Sequence, residues 1–198
     1  MARRLDEPDG PEIVLINPVT AEGWLEPIAM DSARARLVEA LKRRDVHKRF
    51  AVYHPHTTHG EPIYVHAKIT VVDDLNLRVG SSNMNNRSMR LDTECDVVID
   101  ARLPANAIRE TRESLMAEHL GVDAQTVRAT VEETGSLIAA IERLRGTGKT
   151  LKPYETPDLS SVEAWLAENE ALDPEGPEEM FEPFSGRGLF RRLRKPPG

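Results

Sequence analysis

The stretch "YVHAKITVVDDLNLRVGSSNMNNRSM", residues 64–89, decides how this chain is read. It opens as an apolar β-strand in which His66 and Lys68 stand two residues apart. Alternate side chains of a strand share a face, so Val65, Ala67, Ile69 and Val71 are expected on one side and His66, Lys68, Thr70 and Val72 on the other. The H-x-K spacing then sets an imidazole and an ammonium side by side, about 7 Å apart along the backbone. Two such groups on one face make an anion site, and a phosphate is the right size to bridge them. Asp73 falls at an odd offset from His66, so a straight strand turns it away from that face; holding a turn, or pairing with a basic group behind the site, is its expected duty. The next strand ends in "GSSN". Gly80 lets backbones approach closely, while Ser81 and Asn83 share a face and offer a hydroxyl and an amide to phosphate oxygens. "LDTECDVVID" (91–100) then puts Glu94 and Asp96 on one face and Cys95, Val97 and Ile99 on the other. A carboxylate on the ligand side is what a catalytic imidazole needs to fix its tautomer and raise its basicity.

Outward from this stretch, "EIVLINPV" (12–19) is a short apolar strand closed by proline, and "RFAVYH" (49–54) is another. Between them "DSARARLVEALKRRD" (31–45) reads as a helix capped by Asp31 or Ser32, with Ala35, Leu37, Val38 and Leu41 as its apolar stripe. "PHTTHGEP" (55–62) is a polar loop, followed by strands at 63–73, 75–83 and 94–100. Strand, helix and several two-sided apolar strands predict an α/β fold with a mixed, mostly buried β-sheet flanked by helices. Helices follow at 104–121, with Pro104 near the first turn, at 123–135 and at 136–146, each ended by glycine. From about 150 onward proline and acid dominate, with a helix proposed at 160–172 and a basic end, "GRGLFRRLRKPPG". The expected organisation is a first domain over 1–121, a helical extension over 122–149 and a partly disordered tail over 150–198.

The 198 residues suffice for one domain with a core, or one domain plus an appendage. A net charge of −7 argues against a general binder of nucleic acid or anionic membranes, so an anionic ligand must be caught locally. One cysteine, Cys95, excludes an intramolecular disulfide and a cysteine-based zinc cage. No apolar run reaches 18 residues and "MARRLDEPDGPE" lacks a signal-peptide core, so a soluble chain is expected, cytoplasmic or peripheral at a membrane. His54, His56 and His59 cluster without a convincing carboxylate or cysteine set, and are expected to line the entrance to the site rather than bind metal. Trp24 and Tyr64 are expected to fill the core. "GTGKT" (146–150) follows a helix and has Arg143 where a Walker loop needs its first glycine, so it is set aside.

"HAKITVVD" followed by "GSSN" resembles the H-x-K-x4-D…G-S-x-N signature of the phospholipase D superfamily, and "NNRSMRLDTECDVVI" is similar to its true phospholipase D branch. The specific likeness covers residues 63–99. It implies a bilobal fold with two H-x-K motifs facing each other. One histidine attacks phosphorus and the other protonates the leaving alcohol, then activates water; no metal or other cofactor is implied. His66 is carried over to the acid/base part, although the sequence alone does not tell nucleophile from acid. The implied catalytic set is His66, Lys68, Asp73 and Glu94, with the phosphate held by His66, Lys68, Ser81 and Asn83. Glu94 matches the acidic position thought to orient the histidine of the opposite half. A phospholipid at a membrane surface is the implied substrate, hydrolysed to phosphatidic acid.

This chain carries a single such motif, because no other histidine is followed two residues later by lysine. Either it is the carboxyl half of a longer enzyme, the favoured expectation given the likeness to two-motif phospholipases, or two copies pair about a twofold axis. A phosphatidyltransferase, a nuclease, or an inactive half kept as a binding module are the competing expectations.

Overall fold

The structure, a computed structural model, describes residues 1–19, 26–100 and 106–155. The tail from 156, with its proposed helix at 160–172 and basic end, lies outside the described residues, as do Trp24 and Pro104. The described residues divide into two compact units, one of residues 1–11, 26–48 and 155 and one of residues 12–19, 49–100 and 106–154.

In the first unit, α1 (Ala2–Asp6) packs on α2 (Glu26–Arg44). Leu5 of α1 is fully buried, and so are Ala35, Val38 and Leu41, three of the four residues of the stripe on α2; Leu37 is half-buried. Arg44 Nε donates to Asp6 Oδ1 at 3.0 Å and fixes the two helices at their ends. α2 begins at Glu26, ahead of the Asp31 or Ser32 cap expected from sequence. Pro27 falls in its first turn, where a missing N–H costs no helical hydrogen bond.

The second unit runs β1 (Ile13–Ile16), β2 (Phe50–His56), β3 (Lys68–Val72), β4 (Asn76–Gly80), α3 (Asn86–Arg90), β5 (Asp96–Asp100), α4 (Ala107–Leu120), α5 (Ala124–Thr134), α6 (Leu137–Leu144) and β6 (Thr150–Pro153). It is α/β, with a mixed sheet and an antiparallel sheet rather than a single one. In the mixed sheet β1 runs parallel to β2, Ile13 facing Phe50, and β6 runs antiparallel to β2, His56 facing Thr150. Thr150–Pro153 is therefore a strand of the sheet and not the start of the tail. Tyr53 and Leu151 from this sheet form one buried cluster with Met116, Ala117 and Leu120 of α4, Val127 of α5 and Ile141 of α6.

The three helices are punctuated as their sequences demand. Gly121 and Gly135 end α4 and α5 in left-handed geometry, φ 68° and 65°, which costs a residue without Cβ little. Asp123 and Ser136 cap α5 and α6 by accepting from the N–H groups of Thr126 and Ala139 at 2.8 and 3.0 Å. α6 ends differently from the expected glycine stop: Arg145 leaves it in extended conformation. Glu12, just ahead of β1, accepts from the Leu137 N–H at 2.6 Å, so a carboxylate sits at the positive end of α6. Glu113, almost fully buried on α4, is satisfied by Arg128 of α5, whose Nε and Nη2 donate at 2.9 and 2.8 Å.

The second sheet, β3-β4-β5, departs most from expectation. Its strands pair antiparallel, Ile69 facing Val79 and Val79 facing Val97, so Ile69, Val71, Leu77, Val79, Val97 and Ile99 share an apolar face. Leu77 is buried, yet Val79 and Val97 are 42% and 59% exposed. The sheet is thus far from the buried one its two-sided apolar runs suggested. No helix among the described residues is long and apolar enough to cross a membrane.

Because Leu151 is fully buried between β2 and the helix layer, Leu151→Ala is expected to cost about 2–5 kcal/mol in chemical denaturation. Residues 150–153 acting as a mere tail would leave the midpoint unmoved.

Candidate active site

β3 starts at Lys68, not at residue 63. The preceding residues leave the ladder because Ile63 N donates to Pro55 O at 2.8 Å and His56 bridges Pro62, which ties this segment to the end of β2. His66 therefore lies outside the strand, in the segment just ahead of β3, and is exposed. Its ring stacks on that of Tyr64, with centroids 5.8 Å apart and planes 17° from parallel. Tyr64 is 42% exposed and does not fill the core. Lys68, half-buried, sends its Nζ back to the His66 carbonyl oxygen at 2.7 Å. The ammonium thus lies against the His66 backbone, with the cation leaning along the chain.

Lys68, Gly80 and Asp96 form one row across the second sheet. A Cβ on residue 80 would fall 1.8 Å from Asp96 Oδ1 and 2.7 Å from Asp96 Cα, so only glycine fits. The Asp96 carboxylate lies over that gap and accepts from Arg78 Nη2 at 2.8 Å, from Ser82 N at 3.3 Å and from the Ser82 hydroxyl. These bonds, Ser82 first, hold its carboxyl below the usual range.

Glu94 is held by two hydroxyls. Ser81 Oγ donates to Glu94 Oε2 at 2.5 Å, and Ser88 of α3 adds a second bond; both lower the carboxyl's pKa, as does nearby Lys68, against burial and the like charge of Asp96. Ser81 Oγ also accepts from Cys95 N at 3.0 Å. Its one hydroxyl proton is committed to Glu94, so towards an anion it presents no free donor. Asn85 caps α3, its Oδ1 accepting from Ser88 N at 2.8 Å, which sets Ser88 in place. Asn83 is exposed beside this loop.

Lys68, Ser81 and Glu94 thus converge, with His66 adjoining through Lys68. Asp73 does not join them. It occupies the β3–β4 turn with Asp74, both at φ 54°, where Leu75 N donates to Val72 O at 2.9 Å. Five residues of strand put it about 16 Å from Lys68. Of the two duties expected for Asp73, it has the turn, and the basic partner belongs to its neighbour: Asp74 takes a bidentate bond from Arg112 of α4 at 2.6 and 2.7 Å. That guanidinium keeps the Asp74 carboxyl below its ordinary range. His54 and His56, expected in a loop at the entrance, are instead buried at the end of β2, their Nδ1 atoms against the carbonyls of Asn17 and His54 at 2.8 and 3.0 Å; His59 lies in the exposed turn beyond. Among the described residues no three histidine, cysteine or acidic groups converge as a metal set. Ser82, Ser88 and Arg78 carry the local order and were not singled out from sequence. The Asn85-x-x-Ser88 cap spacing is the one signal that could have found Ser88.

A family model described as phospholipase D matches residues 37–166, roughly two thirds of the chain, and the chain belongs to that family, one of phosphodiesterase-type enzymes. No curated protein and no solved structure matches it.

Gly80→Ala is expected to cost about 1–3 kcal/mol, because Asp96 must shift by backbone as well as side chain, and to raise amide exchange at Ser81 and Ser82. Protection equal to that of wild type at both amides would contradict the close approach. Asp74, Glu94 and Asp96 all have depressed pKa values in the folded chain. Their stabilisation is complete above the unfolded values, about 3.9 for Asp and 4.3 for Glu, and is lost as pH falls through the lower folded ones. Exchange protection of the β3–β4–β5 amides should hold from pH 7 to about 5 and decline only below about 4.

Proposed function

We propose that this chain supplies one half of a phospholipase D-type phosphodiesterase site that cleaves phospholipid head groups to phosphatidic acid and an alcohol. The observation that carries this is the exposed His66, whose backbone carbonyl holds the Lys68 ammonium, at the sheet end where Glu94 is held ionised. The lysine ammonium has three donors, and one is spent on the His66 carbonyl, leaving two for phosphoryl oxygens. Charge that builds on those oxygens in the transition state is stabilised most where Lys68 already stands.

In this scheme a nucleophilic imidazole of the opposite half attacks phosphorus, the phosphorus–oxygen bond to the head-group alcohol breaks, and His66 gives that oxygen its proton. Water then attacks the phosphohistidine, His66 takes a proton from it, and the phosphorus–nitrogen bond breaks to free phosphatidic acid. One imidazole cannot be nucleophile and acid in the same step, so a second H-x-K half is required, from a further copy or a further segment. Ser81 acts through Glu94 in this scheme, and Asp73 acts by shaping the hairpin turn; Asn83 remains the open amide beside the phosphate.

The test is choline release from phosphatidylcholine vesicles by the self-associated protein, alongside hydrolysis of bis(p-nitrophenyl) phosphate. His66→Ala is expected to lower both by about 10²–10⁴-fold, with Tm unchanged because the ring is exposed. Lys68→Ala should raise KM as well as lower kcat, since it meets charge in both ground and transition states. A folded, self-associated protein that releases neither product, or a His66→Ala variant with undiminished activity, overturns the proposal.

A further inference from the structure

We propose that Tyr64 is a positioning residue for His66, its ring fixing the imidazole in one orientation with both ring nitrogens left open at the edge. His66 needs such a restraint because it stands outside the strand ladder: β3 begins at Lys68, and the segment before it is tied to the end of β2. The Lys68 bond to the His66 carbonyl secures the backbone at that point, but it does nothing to the histidine's χ angles. Side-chain order must come from a side-chain contact, and the ring seen against His66 is Tyr64, at 5.8 Å and 17°.

The stack joins two exposed rings, so core burial does not explain it. In an extended chain residues i and i+2 point to the same side about 7 Å apart, and here the ring centroids have closed to 5.8 Å, within the range of favourable aromatic pairing. The near-parallel, offset stack flanks one side of the imidazole. Proton transfer uses the ring nitrogens, which lie in the ring plane, so a neighbour on that side costs the chemistry nothing. It denies the imidazole rotamers that would swing those nitrogens away from a diester held on Lys68. The tyrosine hydroxyl has no part in this, so phenylalanine should serve as well.

The catalytic consequence rests on the phosphodiesterase proposal above; the orienting contact itself does not. Two variants of the full chain, Tyr64→Leu and Tyr64→Phe, are compared by NMR of labelled histidine and by diester hydrolysis. Tyr64→Leu is expected to shift the His66 ring protons, as the tyrosine ring current is lost, and to average its Hα–Hβ couplings. It should lower kcat about 10- to 100-fold with little change in KM, as misplacement of a reacting group does. Tyr64→Phe should restore both. Unchanged ring-proton shifts and couplings in Tyr64→Leu overturn the proposal, as does a lost stack with undiminished kcat. Should the wild type hydrolyse no diester, the function proposed above fails by itself, and the shifts and couplings still decide whether Tyr64 orients His66.

Discussion

Asp96 can lie across the second sheet only because residue 80 has no side chain, and the order of the site follows from that contact. With a Cβ excluded at 1.8 Å, the carboxylate drops into the space and collects Arg78 and both polar groups of Ser82. The chain leaving β4 is thereby held against the start of β5, and the next hydroxyl, Ser81, is delivered to Glu94. Asparagine 85 then seats α3 so that Ser88 reaches the same carboxylate. One absent methyl group thus organises two carboxylates and three serines.

The charges in this neighbourhood balance. Lys68 and Arg78 stand against Glu94 and Asp96, so the cluster has no large field of its own, in a chain whose net charge is −7.

Much of this was legible in the sequence because the signals were local. The H-x-K pair, the "GSSN" that follows it, and the glycine stops Gly121 and Gly135 each work through neighbours within a few residues. What depended on distant pairing was not legible. Residues 63–67 carry the same apolar alternation as 68–72, but Ile63 binds Pro55 whereas Lys68 faces Gly80, so one run is divided between two partners. β6 has only "TLKP" to announce it, and its strand character comes from β2 and the helix layer. The exposure of Val79 and Val97 was hidden for the opposite reason: valine alternation predicts a face, not what covers it. His56 looked like a loop residue beyond Pro55, yet β2 continues through that proline, its pairing with β6 running on to His56.

The late arrival of β6 has a consequence for synthesis. Thr150 pairs with His56, which left the ribosome 94 residues earlier (150 − 56). At typical translation speeds of about 5–20 residues per second, that flank of β2 waits about 5–20 s for its mate. Throughout that interval the nascent chain offers an unfinished strand to its surroundings, and the helices whose apolar residues will close over Tyr53 are still being made. The half-made sheet therefore has to be kept from other strands until its last member is synthesised.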